Sequence, residues 1–307
     1  MKKILLFASA VMAILSVGAC QKNEVSGVAE EVNVNITVDL PKAETKAMSA
    51  AELTDVVYYE IWNSDWSVKL FPAAGEEPES VAVSGRQATL SLTLVSSQTY
   101  NFIFWAQNEA CGAYDVTDLK NVKVDYSVIG AAGNQDKFDA FYAVKQLRVA
   151  GAINETVELY RPFAQLNFGA DTMTTDLGDV TVGATSISVS RLATVFNTID
   201  GVGEVETADV VFSANGIATD EALVVNSESY TWVAMDYMLM MADQDAVEVD
   251  ATFNLGMDEP VMHSISNVPL KKNYRTNVVG DLFTSDAALT IVVVPDFQQP
   301  DEVVTLN

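Results

Sequence analysis

The stretch Val32-Asn33-Val34-Asn35-Ile36-Thr37-Val38-Asp39-Leu40 alternates apolar and polar side chains without a break. A period of two puts Val32, Val34, Ile36, Val38 and Leu40 on one side, which predicts a strand with one buried face. Pro41 ends it, since proline brings no amide hydrogen to a ladder. Residues 42–49 are small and charged with no periodicity, so an accessible connection should follow the first strand. Strand signals then recur at short intervals. Residues 56–62 are rich in β-branched and aromatic types, Asn63-Ser64-Asp65 is a turn, 67–71 resumes the alternation and 72–80 reads as an acidic loop. Residues 88–94 alternate strictly and 100–106 form an aromatic strand. A second series covers 157–168, 186–189, 210–212, 231–235, 247–255, 276–280 and 289–294. Helix signals are thin: 115–123 predicts a helical turn, 130–139 a loop, and 230–241 reads equally as a helix or a buried strand. Many short strands separated by turns predict an all-β chain, and its length predicts two tandem antiparallel β-sandwiches, over 32–155 and 156–307.

The amino terminus changes where such a protein should live. Lys2 and Lys3 precede an apolar run from 4 to 17, too short to cross a bilayer and of the right shape for a signal peptide over 1–19. Gly18 and Ala19 followed by a cysteine resemble a bacterial lipobox, in which Cys20 is acylated and the chain is cut in front of it. Residues 20–31 then form an acidic tether between lipid and fold, on an acyl-anchored, exported protein. Losing Lys2 and Lys3 takes the formal charge from −25 to about −27. So acidic a surface repels nucleic acid and anionic headgroups, and leaves the acyl chain as the contact with the membrane. A hydrophobic content of 49% separates the chain from disordered acidic sequences. With Cys20 committed to lipid, Cys111 has no disulfide partner and reads as a small core residue.

Candidate chemistry is sparse. His263 is the single histidine, so neither a histidine metal site nor a triad is expected around it. Asp243-Gln244-Asp245 and the acidic stretch 171–179 offer carboxylates for calcium without a known loop spacing, and read as solvated surface. Gly201-Val202-Gly203 is too short to cradle a phosphate. Trp62, Trp105 and Trp232 fall in strands, where packing is the common role; Trp66, beside a turn, is the one candidate for an exposed sugar-stacking ring. The expectation is a protein that is not an enzyme and carries no cofactor and no metal.

Several motifs resemble the fimbrillin-like proteins of Bacteroidales: Phe104-Trp105-Ala106-Gln107-Asn108, Asp139-Ala140-Phe141-Tyr142, Glu158-Leu159-Tyr160-Arg161-Pro162-Phe163-Ala164-Gln165-Leu166-Asn167-Phe168 and Val268-Pro269-Leu270-Lys271-Lys272-Asn273-Tyr274-Arg275-Thr276-Asn277. The similarity is to a group of mostly uncharacterised members. It implies two transthyretin-like sandwiches on an exported lipoprotein that supports adhesion and biofilm formation. In pilus-forming members a protease cuts after a basic residue beyond the first strand, and a terminal strand of a neighbouring subunit fills the groove. Here the excised strand corresponds to Val32, Val34, Ile36, Val38 and Leu40, and the processing residue to Lys46, with Arg86 as the alternative if arginine is required. The donor candidate is the terminal segment 287–307 with Leu289, Ile291 and Val293, which on the other reading completes its own sandwich. Expected partners are like or related pilin subunits, outer-membrane lipid through Cys20, and a host or bacterial surface ligand. The alternative is a monomeric surface lipoprotein that binds glycan or host protein through loop aromatics.

Overall fold

The computed structural model describes residues 30–41, 54–131, 133, 135–171, 174–175, 178–179, 181–207, 209–215, 222–256, 259–284, 288–294 and 302–303. Cys20 and Lys46 lie outside them, as do the signal peptide and most of the tether. In chain order the first strands are β1 (Glu31–Asp39), β2 (Val56–Asn63), β3 (Lys69–Phe71), β4 (Glu79–Ala82), β5 (Gln87–Val95), β6 (Gln98–Gln107), β7 (Tyr114–Asp115) and β8 (Asn121–Val124). A short helix, α1 (Tyr126–Ala131), precedes β9 (Ala140–Val149), β10 (Ile153–Glu158) and β11 (Ala164–Ala170). Next come β12 (Thr174–Thr175), β13 (Gly178–Asp179), β14 (Ala184–Val189), β15 (Ala193–Asn197), β16 (Val202–Glu206), β17 (Val210–Asn215) and β18 (Ala222–Val225). The last strands are β19 (Glu228–Met238), β20 (Gln244–Asn254), β21 (Val261–Lys271), β22 (Arg275–Gly280), β23 (Thr290–Val294) and β24 (Glu302–Val303).

Two apolar cores organise these strands. In the first, the sheet β10-β1-β5 packs on the sheet β3-β2-β6-β9, to which β4 is also paired. Val34, Ile36 and Val38 of β1, Leu90 and Leu92 of β5, and Val57, Tyr59, Phe102, Phe104 and Phe141 of the facing sheet fill the space between. The second core lies chiefly between the sheet β18-β19-β11-β22-β23-β24 and the sheet β17-β14-β20-β21, with Phe168 of β11 meeting Phe253 of β20 at 5.9 Å between ring centroids. The expected boundary at 155/156 falls inside β10. The pair β7–β8, from the first half of the sequence, joins β15 and β16 in the second core.

Several expectations need correction. The sheets are mixed: β1 runs parallel to β10, and β11 parallel to β22. Alternation encodes which side of a strand is buried and carries no information about the direction of its neighbour. Residues 115–123 form no helical turn. They hold the end of β7, a turn and most of β8, while the helix falls at Tyr126–Ala131, where Asp125 accepts from the Ser127 amide and hydroxyl at 2.9 and 2.6 Å. The loop 130–139 carries a 3-10 turn at Asp136–Phe138. The ambiguous stretch 230–241 is mostly strand, the far end of β19. β9 and β21 carry weak strand signals, because Lys145, Gln146 and Arg148 interrupt one and Pro269 the other; cross-strand pairing with β6 and β20 sets both.

Candidate subunit-exchange site

The first strand is the middle of its sheet. β1 pairs antiparallel with β5 from Glu31↔Val95 to Asp39↔Gln87, and parallel with β10 from Val34↔Ile153 to Asp39↔Glu158. Its apolar face is sealed: Val34, Ile36 and Val38 are fully buried, and Leu40, just past the strand, almost so. Val32 is half-buried at the open end. Each such side chain contributes about 1.5–3 kcal/mol by leaving water, so the four deep ones together contribute on the order of 10 kcal/mol. That is comparable with the net stability of a whole domain. Losing the strand would therefore open an apolar groove floored by Tyr59, Phe102, Phe104 and Phe141, with β5 and β10 as two unpaired walls.

The outward side of β1 is polar and cross-linked. Asn35 donates from Nδ2 to Asn154 Oδ1 at 2.9 Å and accepts from Ser91 Oγ at 3.0 Å, spanning all three strands. Gln87 Nε2 donates to Asp39 Oδ1 at 2.7 Å. At the end of the strand, the Leu40 amide donates to the Arg86 carbonyl at 2.9 Å, and the Arg86 guanidinium donates to the Leu40 carbonyl. Arg86 thus sits in the turn before β5 and holds the tail of β1. A cut behind Arg86 would detach β2 as well, which pairs with β6 from Val56↔Gln107 to Asn63↔Tyr100 and supplies Val57, Tyr59 and Ile61 to the core.

At the other end of the chain, β23 lies within its own sheet, antiparallel to β22, and β24 pairs on its far side. The expected one-sided face of Leu289, Ile291 and Val293 is not what is buried. Ile291, Val292 and Val294 are deep, whereas Val293 and Leu289 are only half-buried. Both sides of β23 meet protein, so adjacent rather than alternate positions are covered.

The motifs that drew attention in the sequence converge between the two cores. β6 is shared: Phe102, Phe104 and Ala106 enter the first core, Ile103 and Trp105 the second. Trp105 packs on Tyr114, Phe163 and Phe196 at 5.6, 6.5 and 6.1 Å, its ring N–H satisfied by Gln107 Oε1 at 2.8 Å. Arg161 pairs with Asp139, reaches Asn273 Oδ1 at 3.4 Å and lies 4.9 Å over the Phe141 ring. The Asn273 amide donates to the Phe163 carbonyl at 2.8 Å, and Asn273 takes a left-handed φ of 63° to do so. These residues are architectural, a role their spacing in the sequence does not disclose.

Trp66 is not a free platform. Lys120 Nζ stands 3.3 Å from the Trp62 ring and 5.8 Å from the Trp66 ring, and donates to the Trp66 carbonyl at 2.7 Å. Cys111 is buried, which pushes its thiol up and away from reactivity. His263 is buried in β21, its Nε2 at 2.9 Å from the Leu282 carbonyl. Asp243 pairs with Lys272 at 2.7 Å and Asp245 with Arg191 at 3.4 Å. Among the described residues no helix is long and apolar enough to cross a membrane.

The architecture defines a class, an all-β protein whose first strand completes the sheet of its own first core. Within that class the chain belongs to DUF6562, a family of unknown function whose model matches residues 24–307. No curated protein matches the sequence. Solved structures share the fold. A candidate polysaccharide-binding protein (DUF1812) from Bacteroides thetaiotaomicron is 12% identical, with 89% of this chain and 98% of that one covered at a TM-score of 0.53. A candidate adhesin from the same species is 11% identical, covering 86% and 97% at 0.54. A candidate adhesin from Bacteroides ovatus is 10% identical, covering 90% and 96% at 0.50. At such identities the likeness is one of fold, and it agrees with the fimbrillin-like resemblance carried by the motifs.

Proposed function

We propose that this chain is a structural subunit of a cell-surface fimbria, anchored first through Cys20 and then assembled by loss of its first strand and exchange with a neighbour. Adhesion and biofilm support follow from that role, and catalysis has no part in it. The observation that carries the reading is β1, a central strand paired on both edges that sends Val34, Ile36 and Val38, all fully buried, into the first core. It is followed directly by a segment that holds Lys42 and Lys46. Lys46 is the better processing residue, because a cut there frees β1 alone, whereas a cut at Arg86 also strips β2 from the core. A donor strand must run parallel to β10, antiparallel to β5, and bring apolar side chains at alternate positions.

One observation favours a second reading. Because β23 is already paired within its own sheet, the chain is complete without a neighbour, as a monomeric surface lipoprotein that binds glycan or host protein would be. Mass and amino-terminal sequence of the protein in sheared surface material separate the two. A chain beginning at Ala47 within polymers stable enough to give a ladder on gels is the expected result. A chain still beginning at acylated Cys20, monomeric and confined to the membrane fraction, would overturn the fimbrial reading.

A further inference from the structure

A cleft of about 630 Å³ opens along the seam between the two cores, lined by β9, β10 and the connection after it on one side and by residues 198–201, Asp243 and Lys272 on the other. Its aromatic wall is Tyr160, one of the few large hydrophobic side chains exposed among the described residues, at 57% exposure. The backbone of Tyr160 is fixed by a reciprocal pair of hydrogen bonds with Tyr142, at 2.8 and 2.9 Å. Tyr142 in turn rests edge-on against Phe196 at 4.6 Å. The ring is therefore presented from a rigid base at little cost in conformational entropy.

Polar groups of both signs surround it. Lys272 Nζ donates to the Gly201 carbonyl at 2.6 Å and pairs with Asp243 Oδ1 at 2.7 Å. An ammonium has three donors, so one remains for a ligand, and Asp243, 69% exposed, keeps its second oxygen open. Asp200, Glu158 and Lys145 complete the rim. In a chain of net charge −25, the cleft holds two lysines against three carboxylates, and Lys145 is itself paired with Glu155 at 2.6 Å, so the cleft is mildly acidic. It lacks the cationic excess that an anionic ligand needs, and it offers donors and acceptors side by side next to an aromatic face.

We propose that this seam cleft binds a neutral oligosaccharide, with the Tyr160 ring against the C–H face of one sugar and Lys272 and Asp243 at its hydroxyls. The volume falls in the usual range of small-molecule sites. The site is distinct from the β1 groove, so binding and assembly are separable.

The test is an array of neutral gluco-, manno- and galacto-oligosaccharides probed with the full chain in detergent, alongside Tyr160→Ala, Tyr160→Phe and Trp66→Ala. Selective binding is expected for the parent, lost by about tenfold in Tyr160→Ala, kept within about threefold in Tyr160→Phe and unchanged in Trp66→Ala. Thermal unfolding of Tyr160→Ala, an exposed position, should match the parent and so exclude misfolding as the cause. No selective signal from the parent, or equal binding by Tyr160→Ala, overturns the proposal. Assembly into surface polymers should survive Tyr160→Ala, so failure here leaves the fimbrial reading standing, and the reverse.

Discussion

Arg161 and Asp139 form a two-pronged ion pair with both side chains fully buried, Nε donating to Oδ1 at 2.6 Å and Nη2 to Oδ2, at the seam where the two cores meet. Burial pushes the Asp139 carboxyl up from its ordinary value, and the guanidinium offsets part of that rise. Such a pair is worth little against a well-packed apolar replacement, but half of it is expensive, because the remaining charge stays buried without a partner.

Arg161→Ala should therefore lower the unfolding free energy by about 3–5 kcal/mol, and Asp139→Ala by a similar amount. The double change Arg161→Met with Asp139→Leu should recover most of the loss. Urea denaturation of the parent, Arg161→Met alone, Asp139→Leu alone and this double variant closes the cycle; additive single and double losses would show that the pair is not coupled.

The first strand gives a prediction about packing. Ile36→Ala removes a side chain with no exposure from the middle of β1 and should cost about 2–5 kcal/mol. Asn35→Ala, on the polar face of the same strand, loses two hydrogen bonds at the surface and should cost about 1 kcal/mol. If the two changes cost the same, β1 is not held by its apolar face.

Two glycines separate close approach from free space. A Cβ at Gly203 would fall 2.0 Å from the Met240 carbonyl oxygen and 2.6 Å from the Ala193 Cβ, so Gly203→Ala must push β16 off its neighbours. A drop in melting temperature of several degrees is expected, corresponding to about 2 kcal/mol or more. Gly151, in the β9–β10 turn, has nothing within 4 Å, and Gly151→Ala should be neutral or stabilise by about 0.5 kcal/mol. Scanning calorimetry on both settles the contrast.

Acid sensitivity follows from two carboxylates. The Thr117 hydroxyl and amide hold Asp115 below its ordinary 3.8, and the Ser127 hydroxyl and amide do the same for Asp125. A carboxyl whose folded pKa lies below its unfolded one contributes stability above about pH 4, which is lost as the pH falls through the folded value. Denaturant midpoints taken from pH 6 down to pH 2.5 should fall along this limb. The fall should be shallower in the double variant Asp115→Asn with Asp125→Asn.

A single face of burial is written in a single strand. The alternation from Val32 to Leu40 therefore located β1 and its inward side chains, and Asn63-Ser64-Asp65 located a turn. The same local physics placed Trp62 and Trp105 in strands and set Cys111 inside. Strand direction, partner and layer are not local properties. Hence the parallel pairings β1–β10 and β11–β22, the sharing of β6 between two cores, and the recruitment of β7 and β8 to the second core were decided only when distant segments met. Trp66 reads as exposed because its neighbours in sequence form a turn, yet Lys120, far along the chain, covers it. Tyr160 sits within a motif of mostly apolar residues, where nothing in the sequence marks it as exposed. It is open because its ring lines the cleft at the seam between the cores, a relation between surfaces that no window of sequence contains.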